Sequence, residues 1–434
     1  MTRLTVLALA LSLLPAAQAF AAAGGGSSGY GGGGGGGGGF GGSGGGGGSG
    51  DGGPWWLWVV IVAAFAVFIA IAMVQAARLR AKRRERVRRT IAASAEASGD
   101  DEWFEATAVE REAAELFRAT QQAWHDRDRE RLAELVGEDL MVEWRRRLDD
   151  FDRKGWHNIV EVKQGPEVEY VGLVNREDDA QDRVVVRLEA EMRDCVSQKG
   201  GAIIKKEGAS SEIVSIAEYW TLARRGDRWT VVSIEQDSEG AHHLDAPLVP
   251  SPWSDEQGLR DETALERARA DAPQGVATAE LVDVDYADDA RRAALDLSLV
   301  DERFAPHVLE AAARTAMSAW AEAVDGDDAR LRAIAGEDAV HALLYGGDSG
   351  ARTRLVVRGP SLRALRIAAL DAEADPPALT VEAEVAGRRY VEDRDTLELV
   401  SGTRDGETTF TERWTLRLDG TGEMPWRIGV AAHA

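Results

Sequence analysis

The longest apolar run in the chain predicts its first element. Residues 55–74 are twenty consecutive positions without a charged side chain. As a helix that rises 1.5 Å per residue, this run is about 30 Å long, which equals the hydrocarbon thickness of a bilayer. A core helix of a soluble protein normally carries a polar stripe, and this run has none. The pattern therefore predicts a transmembrane helix over residues 55–74.

A shorter apolar run, residues 4–14, follows Arg3 at the start of the chain. Its eleven residues are too few to cross a bilayer. The following Ala17-Gln18-Ala19 fits the small-x-small pattern at which signal peptidase cuts. We therefore predict a cleaved signal peptide over residues 1–19, and an uncleaved anchor is the alternative.

Between these two runs lies a glycine-rich tract. The tract, residues 24–53, holds 23 of the 47 glycines of the chain, and its only large side chains are Tyr30 and Phe40. Such a segment has too little apolar surface to fold, so residues 20–54 are predicted to be a flexible tail outside the cell, with an r.m.s. reach of about 30 Å.

Basic residues flank the long apolar run on its C-terminal side only. They are Arg78, Arg80, Lys82, Arg83, Arg84, Arg86, Arg88 and Arg89. Because cationic flanks resist translocation, the C-terminal part is predicted to be cytoplasmic. The signal peptide leads to the same orientation. Residues 75–100 are then a basic juxtamembrane segment whose cations contact anionic lipid headgroups; a nucleic-acid patch is the alternative.

The rest of the chain contains an internal repeat, in which seven groups recur in one order at offsets between 193 and 200. The matched groups are Asp101-Glu102-Trp103-Phe104 with Asp301-Glu302-Arg303-Phe304, Trp124 with Trp320, Gly137-Glu138-Asp139 with Gly336-Glu337-Asp338, Gly165-Pro166 with Gly359-Pro360, Leu188 to Met192 with Val381 to Val385, Glu218-x-Trp220-Thr221-Leu222 with Glu412-x-Trp414-Thr415-Leu416, and Trp229 with Trp426. We infer two copies of one domain, at residues 101–239 and 296–434, joined by a linker over residues 240–295.

The hydrophobic period in the first copy changes from helical to strand-like after Gly155. Helices are predicted over residues 104–124, 129–136 and 139–153, and strands near residues 157–163, 167–175, 183–194, 212–224 and 228–236, with a turn at Gly165-Pro166. Helices followed by strands indicate an α+β domain in which the helices cover one face of an antiparallel sheet. The linker is predicted to contain a short helix near residues 255–270.

Charge and composition exclude several kinds of site. The net charge is -23, and residues 90–434 alone hold 72 acidic against 42 basic side chains, which argues against a nucleic-acid partner. Cys195 is the single cysteine, so an intrachain disulfide or a multi-cysteine zinc site is excluded. His242 and His243 are adjacent, and in an extended chain their side chains point apart. We therefore predict no metal site and no cofactor.

Two carboxylates stand at apolar positions of the predicted strands. Glu218 alternates with Ile216, Trp220 and Leu222, and Glu412 lies in the same pattern of the second copy. A buried carboxylate must be protonated, paired or hydrogen-bonded. Glu218 and Glu412 are therefore either acid/base catalysts in a pocket or structural acceptors for an Arg or a backbone N–H.

The apolar positions of the first copy resemble those of a known family. The signature Phe104, Leu116-Phe117, Ala123-Trp124, Leu140 to Trp144, Glu218-Tyr219-Trp220 and Trp229 is similar to the C-terminal domain of mitochondrial inner-membrane translocase subunit 44 and its bacterial relatives. The resemblance implies tandem cone-shaped α+β domains of the nuclear transport factor 2-like superfamily. It also implies a ligand pocket in each cone. The candidate pocket residues are Tyr170, Glu218, Trp220 and Trp229 in the first copy, and Trp414 and Trp426 in the second.

Together these observations predict a single-pass protein of the bacterial plasma membrane, with its tail outside and its domains in the cytoplasm. The resemblance implies a non-enzymatic tether that binds a partner protein or an apolar or lipid ligand. An isomerase or hydratase that uses Glu218 is the alternative, and a sensor that recruits partners through acidic faces is a third. The sequence specifies neither the partner nor the oligomeric state.

Overall fold

The computed structural model describes residues 23–25, 30, 55–206, 209–254, 284–348, 350–419 and 424–433. The predicted signal peptide, most of the glycine-rich tail and the short helix predicted near residues 255–270 lie outside the described residues. A long helix is followed by two α+β domains, each with a largely antiparallel sheet.

The first helix, α1, is continuous over Trp55–Ala97. From residue 62 to residue 78 its side chains are exposed, apart from the half-buried Ile69, and the exposed ones include Phe68 and Met73. Within the part of the chain that the structure describes, α1 alone is long and apolar enough to cross a membrane. This supports membrane anchoring. The basic stretch predicted as a separate segment is the second half of the same helix.

The second half of α1 packs on the outer face of the first sheet. Leu79 and Val87 contact a small buried cluster that contains Val171, Tyr219 and Leu244. Arg86 is buried as well, and its guanidinium donates to the carbonyl oxygens of Val171 at 2.5 Å and Ala246 at 2.7 Å. Apolar packing and buried hydrogen bonds thus fix α1 to the first domain.

The helices of the first domain begin and end at capping residues. They are α2, Ala106–Asp126; α3, Arg129–Leu135; and α4, Glu138–Lys154. The Glu105 side chain accepts from the amides of Thr107 and Ala108 at the start of α2. α4 carries two acids in its first turn and two bases in its last, which complements the helix dipole, and it ends at Gly155 with φ 66°.

The first sheet is antiparallel, with the order β1-β2-β4-β5 and β3 paired to β2. The strands are β1, Trp156–Val174; β2, Arg183–Gln198; β3, Ile203–Lys205; β4, Ile213–Arg225; and β5, Arg228–Gln236. The predicted turn at Gly165-Pro166 is wrong, because β1 runs through it with shifts in its register against β2.

The second domain repeats the same order of elements and has one additional short strand at its start. Its helices are α5, Asp288–Ser298; α6, Pro306–Asp325; α7, Ala329–Ile334; and α8, Glu337–Tyr345. Its strands are β6, Val284–Tyr286; β7, Thr353–Asp371; β8, Ala378–Asp393; β9, Leu399–Gly402; β10, Thr408–Leu418; and β11, Trp426–His433. The sheet order is β11-β10-β8-β7-β6, and only the β6–β7 pairing is parallel within the described residues.

One boundary and one match between the copies, both predicted from the sequence, need correction. The linker assigned to residues 240–295 is shorter, because β6 pairs with β7 and Ala290 and Ala294 of α5 are buried in the core of the second domain. The match of residues 188–192 with 381–385 is displaced by two residues. Leu188 pairs with Glu218, and Ala383 pairs with Glu412. Leu188 and Ala383 are therefore the equivalent residues of the two copies.

The repeated motifs make the same contacts in both copies. Phe104 meets Trp229 edge-on with ring centroids 5.9 Å apart, and Phe304 meets Trp426 in the same way at 5.7 Å. The amides of Gly137 and Gly336 each donate to a carbonyl oxygen of the last strand, that of Val231 or Ile428. The repeat in the sequence therefore reflects a repeated fold.

A buried network of charges joins the two domains. Glu143 of α4 accepts from Arg354 at 3.2 Å and from Arg394 at 2.5 Å, and Arg354 also contacts Asp139 at 2.8 Å. Glu143 is 3% exposed and both arginines are under 8%. The two arginines belong to the second domain, so a carboxylate of the first domain neutralises cations that the second domain buries.

We expect Glu143→Gln to lower the free energy of unfolding by about 3 kcal/mol, because it leaves Arg354 and Arg394 buried with less compensating charge. Urea titration in detergent, followed by tryptophan fluorescence, measures the change. Glu138→Gln on the same helix is the matched control, since the Glu138 side chain is 94% exposed. The network is not important for stability if the two variants unfold alike.

Candidate functional site

The predicted pocket residues of the first domain lie in its packed core. Tyr170 and Trp220 are fully buried, and Trp229 is 4% exposed. Trp220 contacts Phe117 with ring centroids 5.2 Å apart. The Tyr170 hydroxyl has no hydrogen-bond partner among the described residues, and burial raises the pKa of Tyr170 well above its usual value. These side chains fill the centre of the cone, and the cavities described below are lined by other residues.

The corresponding tryptophans of the second domain are packed in the same way. Trp414 contacts Trp320 with centroids 5.4 Å apart. The Trp426 indole donates to the Arg303 carbonyl oxygen at 2.9 Å. Their role as pocket residues stays a prediction, and their contacts are those of core side chains.

Both predicted carboxylates are buried, at 1% exposure for Glu218 and 2% for Glu412. The Trp220 indole donates to Glu218 Oε2 at 2.9 Å. In the second domain the Arg389 guanidinium lies 3.9 Å from Glu412 Oε1. Glu218 therefore accepts a hydrogen bond from an indole inside the core, and Glu412 lies near a cation. A catalytic or a structural role for either carboxylate stays a prediction.

The eight basic residues predicted to contact lipid headgroups have different environments. Arg83 is paired with Asp237, and Arg86 is buried against the first sheet, so these two cations face the domain. Lys82 is exposed but pairs with Asp245. The exposed cations are Arg78, Arg80, Lys82, Arg84, Arg88 and Arg89.

A different pocket lies at the end of the first cone, and residues of the tail fill it. Tyr30 is 2% exposed and packs edge-on against Phe151, with ring centroids 6.4 Å apart. Three polar side chains surround its hydroxyl: Asn158 near the start of β1, Asp194 near the end of β2, and Lys206 just after β3. All three are at most 6% exposed.

Hydrogen bonds connect the polar groups of this pocket. The Tyr30 hydroxyl donates to Asp194 Oδ1, and the Asn158 amide donates to the Tyr30 hydroxyl at 3.1 Å. Lys206 Nζ donates to Asp194 Oδ2 at 2.7 Å. The Trp124 indole donates to Asn158 Oδ1 at 2.8 Å. Burial, and then the charge of Asp194, raise the pKa of Tyr30 well above its usual value, so the phenol keeps its proton and donates the hydrogen bond.

A second contact of the tail involves Gly24. Arg147 Nη1 donates to the Gly24 carbonyl oxygen at 2.7 Å. Gly24 has φ +80°, and a Cβ atom there would lie 2.3 Å from Trp144 Nε1, so only glycine fits. Gly24, Glu143 and Arg147 also line a cavity of about 110 Å³ between the two domains.

The sequence contains a signal for this pocket. Every second residue of β2 from Val184 to Met192 is buried, and the same alternation reaches Asp194; in β1, Asn158 lies two residues before the buried Val160. Asp194 is therefore a carboxylate at an inward position of a strand, as Glu218 is. Alternation does not predict that Lys206 is buried, because Lys206 lies just after β3, a strand of three residues.

The expectation that His242 and His243 point apart is wrong. They lie in a 3-10 turn, Gly240–Leu244, with ring centroids 4.0 Å apart. His243 Nε2 is 2.8 Å from Glu235 Oε1, and His242 Nε2 is 3.3 Å from Asp325 Oδ2 of the second domain. Ligand atoms of Glu235, His242 and His243 lie within 4.8 Å of one another, so these three residues could hold a divalent cation.

The charges of this cluster favour an ion pair across the domain boundary. Burial alone would lower the pKa of His242, but the carboxylates of Glu235 and Asp325 outweigh burial and raise this pKa to about 9. Burial would raise the pKa of Glu235, but His243 and His242 hold it at about 2. A protonated His242 therefore bridges Glu235 of the first domain and Asp325 of the second.

Comparison with known proteins identifies the family of the first domain. Residues 91–236 match the family model of the Tim44-like domain, which confirms the family predicted from the sequence. The match begins inside α1, before the predicted boundary at residue 101. No curated protein matches the chain.

Two solved structures share a loose likeness with the chain. The intermembrane space region of chloroplast protein ARC6 is 14% identical, with a TM-score of 0.23, over 30% of this chain and 97% of that one. An Ntf2-like protein involved in plasmid conjugation is 9% identical, with a TM-score of 0.18, over 76% of this chain and 96% of that one.

The raised pKa of His242 predicts how stability depends on pH. Its contribution is complete below its ordinary pKa of 6.5 and is lost as the pH rises through about 9. We expect a loss on the order of 2–3 kcal/mol between pH 6 and pH 10 from this group. Urea titrations at several pH values measure it. His242→Gln should remove this part of the dependence, and the exposed His307→Gln should not; equal profiles for wild type and His242→Gln would contradict the assignment.

Proposed function

We propose that this chain, whose residues 91–236 form a Tim44-like domain, is a membrane-anchored binding protein of the bacterial plasma membrane. It crosses the membrane once and holds its two domains at the cytoplasmic face. It has no catalytic role, and it tethers a partner protein or an apolar ligand near the bilayer.

The observation that carries this proposal is the continuity of α1. One helix contains the apolar run and the face that packs on the first domain. Leu79, the first residue of that face, follows Val74 by five positions, or about 8 Å along the axis. The first domain is therefore held within about 10 Å of the hydrocarbon edge, which suits a tether.

The distribution of charge supports a protein partner over direct docking of the domains on lipid. Arg78 and Arg80 are exposed within about 10 Å of the end of the apolar run, where anionic headgroups lie. Arg84, Arg88 and Arg89 are about 15 Å or more away and lie beyond the headgroup layer. The domains themselves are strongly acidic and are repelled by anionic lipid, so their surfaces remain available to other molecules.

The surroundings of Glu218 support a non-enzymatic role. Its carboxylate accepts from the Trp220 indole inside a packed core. The alternative enzyme needs Glu218 in contact with a substrate. Glu218→Gln separates the two functions. A lower free energy of unfolding without any turnover of a pocket ligand favours the binding protein. Retained stability with abolished turnover of such a ligand favours the enzyme.

The orientation can be tested with single cysteines, since Cys195 is the only cysteine of the chain and is buried. We expect Ser43→Cys, in the tail, to react with a membrane-impermeant maleimide in intact cells. Ser401→Cys, at an exposed position of the second domain, should react only after permeabilisation. Labelling of Ser401→Cys in intact cells, or activity of alkaline phosphatase fused after Ala434, would reverse the proposed orientation.

A further inference from the structure

We propose that the first domain has a binding pocket for a tyrosine side chain presented by a glycine-rich peptide. In the structure Tyr30 of the chain's own tail occupies this pocket. Insertion of α1 into the membrane withdraws the tail and leaves the pocket to a tyrosine-bearing, glycine-rich segment of a partner on the same side as the domains.

The polar groups of the pocket are not required by the fold. The second domain has the same sheet order without them. Asn158 is the third residue of β1, and the third residue of β7 is Leu355, which is buried in an apolar core. Asp194 is the twelfth residue of β2, and the twelfth of β8 is Arg389. The first domain therefore carries an additional buried set of Asn158, Asp194 and Lys206, at a free energy cost that a ligand can offset.

The arrangement selects a phenol. Asp194 accepts the hydroxyl hydrogen of Tyr30, and Asn158 donates to the hydroxyl oxygen. Lys206 neutralises Asp194 and lies 6.0 Å from the centre of the tyrosine ring. Phenylalanine would leave the buried Asp194 without one of its donors, so the hydroxyl contributes specificity as well as affinity.

The arrangement also selects a peptide over a free phenol. Six residues before Tyr30, the Gly24 carbonyl oxygen accepts from Arg147, and the Gly24 backbone lies against Trp144 where a Cβ atom does not fit. Recognition of a backbone carbonyl and of a glycine requires a chain that continues from the tyrosine. The occupant is therefore a segment of glycine-rich polypeptide.

The docked tail and an inserted α1 are alternative states of one chain. Trp55 precedes Leu79, where α1 first contacts the domain, by 24 positions, or about 36 Å of helix. If residues 55–74 span the bilayer, residues 31–54 would have to cross it a second time for Tyr30 to reach the domain. A glycine-rich chain cannot do so, because its backbone groups would lack hydrogen-bond partners in the hydrocarbon.

The test uses the full chain in lipid nanodiscs and a labelled peptide with the sequence of residues 20–32. We expect the peptide to bind, as measured by fluorescence anisotropy, both to the wild-type chain and to Tyr30→Ala, with dissociation constants within about twofold. Binding to wild type that is tenfold weaker than to Tyr30→Ala would mean that the tail stays docked, and it would overturn the release by insertion. Absence of binding to Tyr30→Ala would overturn the pocket.

Variants of the peptide test its recognition without altering the fold of the protein. Replacing its tyrosine by phenylalanine should weaken binding about tenfold, since a hydrogen bond to a charged group is lost. Replacing the glycine that corresponds to Gly24 by alanine should weaken it by at least as much. A peptide of the same composition in scrambled order is the control. Equal binding of the tyrosine and phenylalanine peptides would exclude recognition of a phenol.

A matched pair of protein variants tests the polar set. Lys206→Met removes a buried cation that pairs with Asp194, and Lys205→Met removes its neighbour, whose amine donates to the Ser210 carbonyl oxygen at the surface. We expect only Lys206→Met to lose peptide binding, with both variants folded by circular dichroism.

The withdrawal of the tail depends on the proposed membrane anchoring, whereas the pocket does not. Failure of the anchoring alone would therefore appear as labelling of Ser43→Cys and Ser401→Cys on the same side, with the Tyr30→Ala chain still binding the peptide.

Discussion

The arrangement of this molecule depends on one rigid connection, the packing of α1 on the outer face of the first sheet. Leu79 and Val87 contribute apolar contacts, and the buried Arg86 contributes hydrogen bonds to two backbone carbonyls. A flexible hinge at this position would separate the anchor from the domains. Because the helix is continuous, the position of the first domain follows from that of the apolar run, and so does the competition between the docked tail and the membrane.

Much of the fold follows from the sequence, because its signals are local or repeated. The change of period after Gly155 separates helices from strands, and the repeated Phe104 and Trp229 mark one aromatic contact that recurs as Phe304 with Trp426. The errors arise where the local backbone conformation differs from the one that the residues indicate. β1 continues through Gly165-Pro166, and the chain at His242 turns where an extended segment was assumed.

The candidate sites were harder to predict, because their residues are brought together from distant parts of the chain. Arg394 is 251 residues from Glu143, and Tyr30 is 164 residues from Asp194. No periodicity links such pairs. Asp194 was accessible in principle, since alternation places it on the inner face of β2. Its partners Lys206 and Tyr30 lie in segments where no pattern constrains the direction of the side chain.

The two copies of the domain differ in the polar side chains that they bury. In the first, the end of the cone holds buried polar groups around a tyrosine, while in the second the equivalent strand positions carry Leu355 and Arg389. The second domain instead supplies Arg354 and Arg394, which the first domain neutralises through Glu143. Glu143 precedes Arg147, which holds the Gly24 carbonyl oxygen, by one helical turn. The carboxylate that pairs with the second domain and the guanidinium that contacts the tail therefore lie one turn apart on α4, so this helix forms part of both the domain boundary and the pocket.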